Sequence, residues 1–311
     1  MRNILVIGGA GYIGSHTCLD LYQNGLTPIV YDNLSNGHRE FVKWGAFEQG
    51  DIRDFARLKR VFEEYLPCAV IHFAGLIEVG QSVRDPLSFF DVNVAGSTAV
   101  LRAADAIGCR NIVFSSTCAT YGVPLALPLS ETHPQQPISP YGRTKLMVEE
   151  MLRELSAYRG FSTIILRYFN AAGAAPERGI GEWHHPETHI LPLAVETALG
   201  MRREFVINGC DYETPDGTCI RDFVHVMDLA DAHTRAVQHL LAGGDNAEIN
   251  IGSGTGTSVR ELLGMVQAVA GRPLRVRRGS RHIGDPPVLV ADNSKALSIL
   301  GWRPARDLTA I

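Results

Sequence analysis

The sequence predicts an α/β fold, a doubly wound parallel sheet followed by a smaller mixed C-terminal part, and three observations carry that prediction. Short apolar runs alternate with helical patterns through the first 170 residues, the rhythm of successive strand, helix and parallel strand. A glycine-spaced loop joins the first run to the first helix. Beyond about Asn170 the rhythm gives way to a loop rich in Ala, Gly, Pro and His, Ala171 to His189, and then to shorter mixed elements.

In chain order, the runs Ile4 to Ile7, Pro28 to Tyr31, Ala69 to Phe73, Asn111 to Phe114 and Thr163 to Leu166 show little period-2 alternation, which predicts strands buried on both faces. Helices are predicted over Tyr12 to Asn24, stopped at Gly25, and over Phe55 to Tyr65, stopped before Pro67. A long helical stretch follows Pro86 to Gly108, and another covers Tyr141 to Tyr158, ending near Gly160. Asp228 to Leu241 and Ala247 to Ile251 form a helix-then-strand pair that is expected to return to the first sheet.

The 311 residues carry 29 basic and 33 acidic side chains, a formal charge of −4, with 45% apolar and 20% charged residues. That balance suits an ordinary globular chain with ample core and argues against non-specific nucleic-acid binding. No basic cluster precedes an N-terminal apolar run, and no apolar stretch of about 18 residues occurs. The expectation is a cytoplasmic protein with no membrane partner. Six cysteines, Cys18, Cys68, Cys109, Cys118, Cys210 and Cys219, are scattered without a C-x-x-C pair, so neither a zinc cage nor a redox motif is written in them.

The loop Gly8-Gly9-Ala10-Gly11-Tyr12-Ile13-Gly14 opens the first helix. Its glycines permit a tight turn and let a pyrophosphate approach backbone N–H groups at the positive helix end. Asp32 closes the second strand roughly 20 residues further on, where a carboxylate bonds a ribose 2′-OH and repels a 2′-phosphate. A turn that binds nothing is the weaker reading of this complete context. The prediction is a Rossmann-type NAD site in residues 1–170, joined by about 223–252, with 171–311 serving mainly a substrate. Asp51 and Ile52, after a further strand that precedes the Phe55 helix and makes the Ala69 to Phe73 run the fourth, and Phe73, Ala74 and Gly75 after that fourth strand, fall at strand ends where such sheets bind ligands. Asp51 either holds the adenine or caps the next helix.

Tyr141 and Lys145 stand four residues apart at the start of a helix, so both project from one face. A free phenol has a pKa of about 10 and is a poor base at neutral pH, but a nearby ammonium and a cationic nicotinamide stabilise the phenolate. A tyrosine tuned in this way removes a hydroxyl proton while the adjacent carbon gives up hydride. Thr117, at the end of the fifth strand, either offers its hydroxyl to the same substrate oxygen or satisfies a strand-end backbone group.

With these residues in place, the chain resembles the extended short-chain dehydrogenase/reductase family, in its NAD-dependent epimerase group. The resemblance runs nearly the whole length, through GGAGYIGSH (Gly8 to His16), YDNLSNG (Tyr31 to Gly37), GDIRD (Gly50 to Asp54), VIHFAG (Val70 to Gly75) and FSST (Phe114 to Thr117). It continues through SPYGRTK (Ser139 to Lys145), LRYFNAAGA (Leu166 to Ala174), RDFVHVMDLA (Arg221 to Ala230) and VADNSKA (Val290 to Ala296). The resemblance implies Tyr141 as base and acid, Lys145 as its partner and ribose ligand, and Thr117 as proton shuttle. Asp32 and Asn33 would hold the adenosine ribose, Asn36 and Asn93 would serve the cofactor, and Phe169 would pack against the nicotinamide. Asn170, His189, Arg221, Arg281 and Asp285 would line a UDP-sugar site, and Leu289 would affect the size of sugar admitted.

The implied reaction interconverts UDP-galactose and UDP-glucose through a transient 4-keto sugar, with no net redox change. A homodimer built on the Tyr141 helix and the helix after Pro86 is implied too, with the stripe Met147, Val148, Met151, Leu152 and Leu155 divided between core and interface. Three departures stand out. Ile77 occupies a place where many relatives have Lys, His282 replaces an Arg in the Arg281 to Asp285 segment, and a terminal helix would continue beyond Ile311.

Other readings are weaker on the residues themselves. A 4,6-dehydratase would need acids after Thr117, where Cys118 and Ala119 stand. Epimerases of UDP-GlcNAc, UDP-glucuronate or a UDP-pentose would use the same machinery, and Leu289 leaves the N-acetyl question open. A non-catalytic NAD sensor would have lost Tyr141 or Lys145. His184, His185 and His189 lie close together, but Pro186 interrupts them and no carboxylate stands in an H-E-x-x-H arrangement, so no metal is expected.

Overall fold

A parallel sheet of seven strands organises the chain, whose residues 2–281 and 285–311 are described by a computed structural model. The first half runs β1 (Asn3–Ile7), α1 (Tyr12–Gln23), β2 (Thr27–Asp32), β3 (Ala46–Gln49), α2 (Phe55–Tyr65) and β4 (Ala69–His72). It continues through α3 (Val79–Arg84), α4 (Pro86–Phe89), α5 (Ser97–Ala106), β5 (Asn111–Thr117), α6 (Pro140–Arg159) and β6 (Ser162–Tyr168). The second half contains β7 (Asn170–Ala172), α7 (Ile190–Ala198), β8 (Phe205–Asn208), β9 (Ile220–His225), α8 (Val226–Leu241) and β10 (Ala247–Ile251). It ends with β11 (Gly256–Ser258), α9 (Val259–Ala270), β12 (Val276–Gly279), β13 (Val288–Leu289) and α10 (Ser294–Leu300).

The large sheet has the order β10-β6-β5-β4-β1-β2-β3, with every pairing parallel. Ile4, Leu5, Val6 and Ile7 all have 0% exposure whichever face they point to, as a strand covered by helices on both sides requires. One core lies beneath α1 and α8, and the other beneath α2 and α5. The helix-then-strand pair does return: β10 aligns with β6 from Ala247 opposite Ile164 to Ile251 opposite Tyr168.

The long helix expected after Pro86 is instead three pieces, because a π-helical turn at Phe90–Gly96 separates α4 from α5. There Asn93 turns inward to bond the Leu76 backbone, and Gly96 packs so closely that a Cβ would lie 2.6 Å from the Ile52 Cδ1. The sequence did not suggest α3, a short helix whose Val79 and Val83 face outward. Strands β5 and β6 run past their apolar cores. Ser116 and Arg167 extend them while paired with the buried Glu149 carboxylate, so polarity at these positions does not end the ladder.

The smaller part holds a sheet in which β9 pairs with β11, β13 and β7, and a separate pair of β8 with β12. Helices α7 and α9 cover a core of their own. The chain then comes back: Trp302 is 1% exposed, joins the core of the large sheet and donates to the Asp228 carbonyl at 2.9 Å. Among the described residues, no helix is long and apolar enough to cross a membrane.

Candidate active site

The carboxyl ends of the large sheet's strands open into a cleft of about 570 Å³, beside the point where strand order reverses between β1 and β4. Gly8 leaves β1 with φ +83°, and a Cβ there would come within 2.6 Å of the Ala74 nitrogen. A Cβ on Gly14 would lie 2.2 Å from the Gly8 carbonyl oxygen. Gly11 caps α1 without a side-chain hydrogen bond, and the first turn holds no acidic residue. The positive end of α1 therefore faces the cleft with no protein carboxylate in its first turn, and this close-packed glycine cradle fits a dinucleotide pyrophosphate.

Each cofactor residue expected from the sequence lines this cleft, except Asn93. Asn93 is 2% exposed and spends its amide on the Leu76 N–H and carbonyl, at 2.7 and 3.0 Å, and on Thr144 at 3.1 Å. It fixes the backbone after Gly75 from behind. Asp32 accepts from the Ala10 N–H at 3.0 Å and the Leu34 N–H at 2.8 Å, and burial pushes its carboxyl up. The carboxylate thereby ties the glycine loop to the end of β2. Asp51 does not cap α2; Asp54 does, accepting from the Arg57 N–H at 2.9 Å. The Arg53 guanidinium holds the Asp51 carboxyl well below the usual range, and Asn33 donates to it at 3.0 Å.

Tyr141 enters the cleft from the first turn of α6, which begins at Pro140 and is capped by Ser139 accepting from the Gly142 N–H at 3.1 Å. Thr117 lines the same cleft and acts to lower the phenol's pKa, and its oxygen accepts from the Ala119 N–H at 3.1 Å, so the strand-end backbone reading of Thr117 is the one its bonding shows. Lys145 is 3% exposed and donates to the Ser115 carbonyl at 2.9 Å. Burial pushes the lysine down to about 8. The phenol is not lowered by the protein: burial first, then the neighbouring Tyr168 hydroxyl, push Tyr141 up, and Thr117 only partly opposes them. Spacing on a helix face correctly placed the pair in one cleft, yet it gave no measure of desolvation, which dominates here.

Of the residues expected to line a UDP-sugar site, Asn170 and His189 line the cleft, whereas Arg221, Arg281, Asp285 and Leu289 lie outside its lining. Arg221 is buried at the start of β9, ion-paired with Asp285 and donating to the Ile220 carbonyl at 2.8 Å. Leu289 stands opposite Arg221 on β13 and packs in a cluster with Phe169, Tyr121 and Cys118. Arg281 turns away to Asp211 at 2.7 Å, with its guanidinium 4.3 Å from the Tyr212 ring centre. His282 lies outside the described residues. Ile77 lines the cleft at 40% exposure.

Ser115, Tyr168 and Phe223 also line the cleft and were not anticipated. Ser115 and Tyr168 are hydrogen-bonded to each other across the ends of β5 and β6. The signal was available, since both stand where adjacent strands end. At the rim, His184 and His189 are joined by Glu182 and Glu187, carboxylates that a search for H-E-x-x-H does not find.

A family model described as the NAD dependent epimerase/dehydratase family matches residues 4–252. The UDP-glucose 4-epimerase of Rhizobium leguminosarum bv. trifolii is 58% identical over 310 residues, 100% of this chain and 95% of that protein. The crystal structure of the Brucella ovis UDP-glucose 4-epimerase in complex with NAD is 49% identical, with a TM-score of 0.97 over 100% of this chain and 96% of that one. The Stenotrophomonas maltophila UDP-glucose-4-epimerase, solved with bound NAD and formylated UDP-arabinopyranose, is 40% identical with a TM-score of 0.96, covering 100% of this chain and 95% of that one.

Proposed function

Because this chain belongs to the NAD-dependent epimerase/dehydratase family, we propose that it is a UDP-glucose 4-epimerase, an isomerase that interconverts UDP-galactose and UDP-glucose. The observation that carries this reading is the meeting of Tyr141, Thr117 and Lys145 in the same cleft as the glycine cradle. NAD is the cofactor of the family, and the glycine loop, Asp32, Asn33, Asn36 and the Phe73 to Gly75 turn, all lining the cleft, would hold it. When bound, NAD supplies reversible hydride acceptance at the sugar C4.

Tyr141 takes the O4 proton and later returns it, with the Thr117 hydroxyl bridging phenol and sugar oxygen. Its raised pKa leaves almost no phenolate near neutral pH, so proton removal draws on positive charge at the site, of which Lys145 is the resident source. The lysine is held on the Ser115 carbonyl, which fixes that charge beside the β5 end. Inversion requires the sugar to present its other face to the same acid while the UDP part stays anchored. Arg221, paired with Asp285 outside the cleft lining, is the candidate anchor, because a guanidinium matches phosphate oxygens bidentately. Residues 1–170 with about 223–252 serve NAD and the rest of 171–311 serves UDP-sugar.

A homodimer in the cytoplasm belongs to the same reading. Val83 and Leu87 are 65% and 79% exposed beside α6, whose Val148 and Leu152 are core while Met147 and Met151 are only half-buried. The six thiols are unpaired, as suits a reducing compartment.

The test is incubation of the purified protein, without added cofactor, with UDP-galactose, UDP-GalNAc and UDP-xylose in turn, followed by chromatography. Conversion of UDP-galactose to UDP-glucose supports the reading and the other sugars define its breadth. No conversion of UDP-galactose, even with NAD supplied, would overturn it.

A further inference from the structure

We propose that Glu182, His184, Glu187 and His189 form a binding site for a transition-metal dication, zinc by preference, at the rim of the nucleotide cleft. One ligand atom from each residue lies within 4.8 Å of all the others. The His189 Nδ1 is 2.9 Å from a Glu187 oxygen and 3.1 Å from a Glu182 oxygen, and the His184 Nδ1 is 3.5 and 3.7 Å from oxygens of the same two carboxylates. Ligands about 2.1 Å from a tetrahedral zinc ion stand ~3.4 Å apart. The four ligand atoms, all within 4.8 Å of one another, need only a small inward adjustment, with the His189 Nδ1 exchanging its 2.9 Å contact to Glu187 for the ion.

Charge points the same way. The Glu182 and Glu187 side chains are only 7% and 8% exposed, and their ion-pair partners among the described residues are these two imidazoles alone, with no Lys or Arg. With neutral imidazoles the cluster would carry two uncompensated negative charges in a poorly solvated place, a costly arrangement. One dication cancels both. The buried His184 Nδ1 has no hydrogen-bond partner, so a lone pair directed at an ion leaves no bond broken. Two imidazole nitrogens with two carboxylates suit zinc better than magnesium or calcium, which take all-oxygen shells.

The ligands are braced from outside. Glu187 accepts from the Thr188 and His189 N–H groups, both at 2.7 Å, which fixes the carboxylate before any ion arrives. Trp183 stacks on His38 with ring centres 4.1 Å apart, and its carbonyl is 2.8 Å from the His38 Nε2. An ion here clasps the segment 182–189 beside the phosphate loop, where the Tyr12 and His184 rings meet edge to face. That position at a nucleotide cleft rests on the function proposed above; the metal site itself does not.

The experiment is equilibrium dialysis of the EDTA-stripped, NAD-loaded protein against zinc chloride, with metal counted by mass spectrometry and no turnover measured. Native protein is expected to retain one zinc per chain, with Glu187→Gln and His184→Ala each weakening retention at least tenfold and each shown to be folded by circular dichroism. Failure of the native protein to retain zinc would overturn the proposal, as would equal retention by either folded variant. An enzyme inactive on every UDP-sugar but retaining zinc in this way would refute the catalytic reading and leave the metal site standing.

Discussion

At Tyr141 the surroundings oppose the chemistry asked of the residue, since burial and the Tyr168 hydroxyl both favour the neutral phenol. Replacing the phenol by an apolar ring isolates its proton-transfer role, because the cofactor cradle lies on other elements. Tyr141→Phe is therefore expected to lower turnover of UDP-galactose by ~10³-fold, within the range for a general acid or base, while the purified protein still carries NAD. Near-native turnover would show that another group moves the proton. Leu289 poses a question of space: it packs in the cluster that holds Phe169, next to the cleft. Leu289→Tyr is expected to slow UDP-GalNAc by about tenfold more than UDP-galactose, the scale of discrimination that pocket volume supplies. Equal losses on the two sugars would count against a gate at this position.

The cleft works because a few element ends are held to tight tolerances. A Cβ on Gly14 meets backbone, the Gly8 oxygen at 2.2 Å and the Gly9 Cα at 2.8 Å, and neither atom can swing aside. Gly25 has φ +74°, but a Cβ there meets nothing within 4 Å. Gly25→Ala should thus cost only the left-handed strain of about 1–2 kcal/mol, whereas Gly14→Ala should lower the melting temperature further and reduce NAD retained through purification. Similar melting temperatures for the two variants, with NAD retained in both, would mean that the loop tolerates a wider turn. The spacing of the glycines announced this element. The π-helical turn at Phe90–Gly96 was not legible, because its cause is the distant Leu76 backbone that Asn93 bonds and the Ile52 side chain that Gly96 meets.

Across the whole molecule, burial of histidine links stability to pH. His16, His72 and His233 are at most 1% exposed, and burial holds them down to about 4, about 3 and about 4. In the unfolded chain each titrates near 6.5, so the unfolded state binds protons first as the pH falls. Their contribution is complete above pH 6.5 and is lost downward from there, towards pH 4 for His16 and His233 and pH 3 for His72. Each histidine should cost ~2 kcal/mol at about pH 5 relative to about pH 7.5, and the urea midpoint should fall accordingly. A midpoint unchanged or raised at the lower pH would contradict the assignment of neutral, buried rings.

The sequence by itself determined the alternation of strands and helices, the glycine cradle, the acid at the end of β2 and the placing of Tyr141 and Lys145 on one helix face. These are local relations, fixed by backbone sterics and helical period within a few residues. Only the tertiary structure decided that Asn93 props the Gly75 turn from behind, that Arg221 is committed to Asp285 across 64 positions of chain, and that Arg281 turns to Asp211. Which partner a polar side chain finds, and how far it is desolvated, depends on how segments remote in sequence pack together, and spacing along the chain does not encode that.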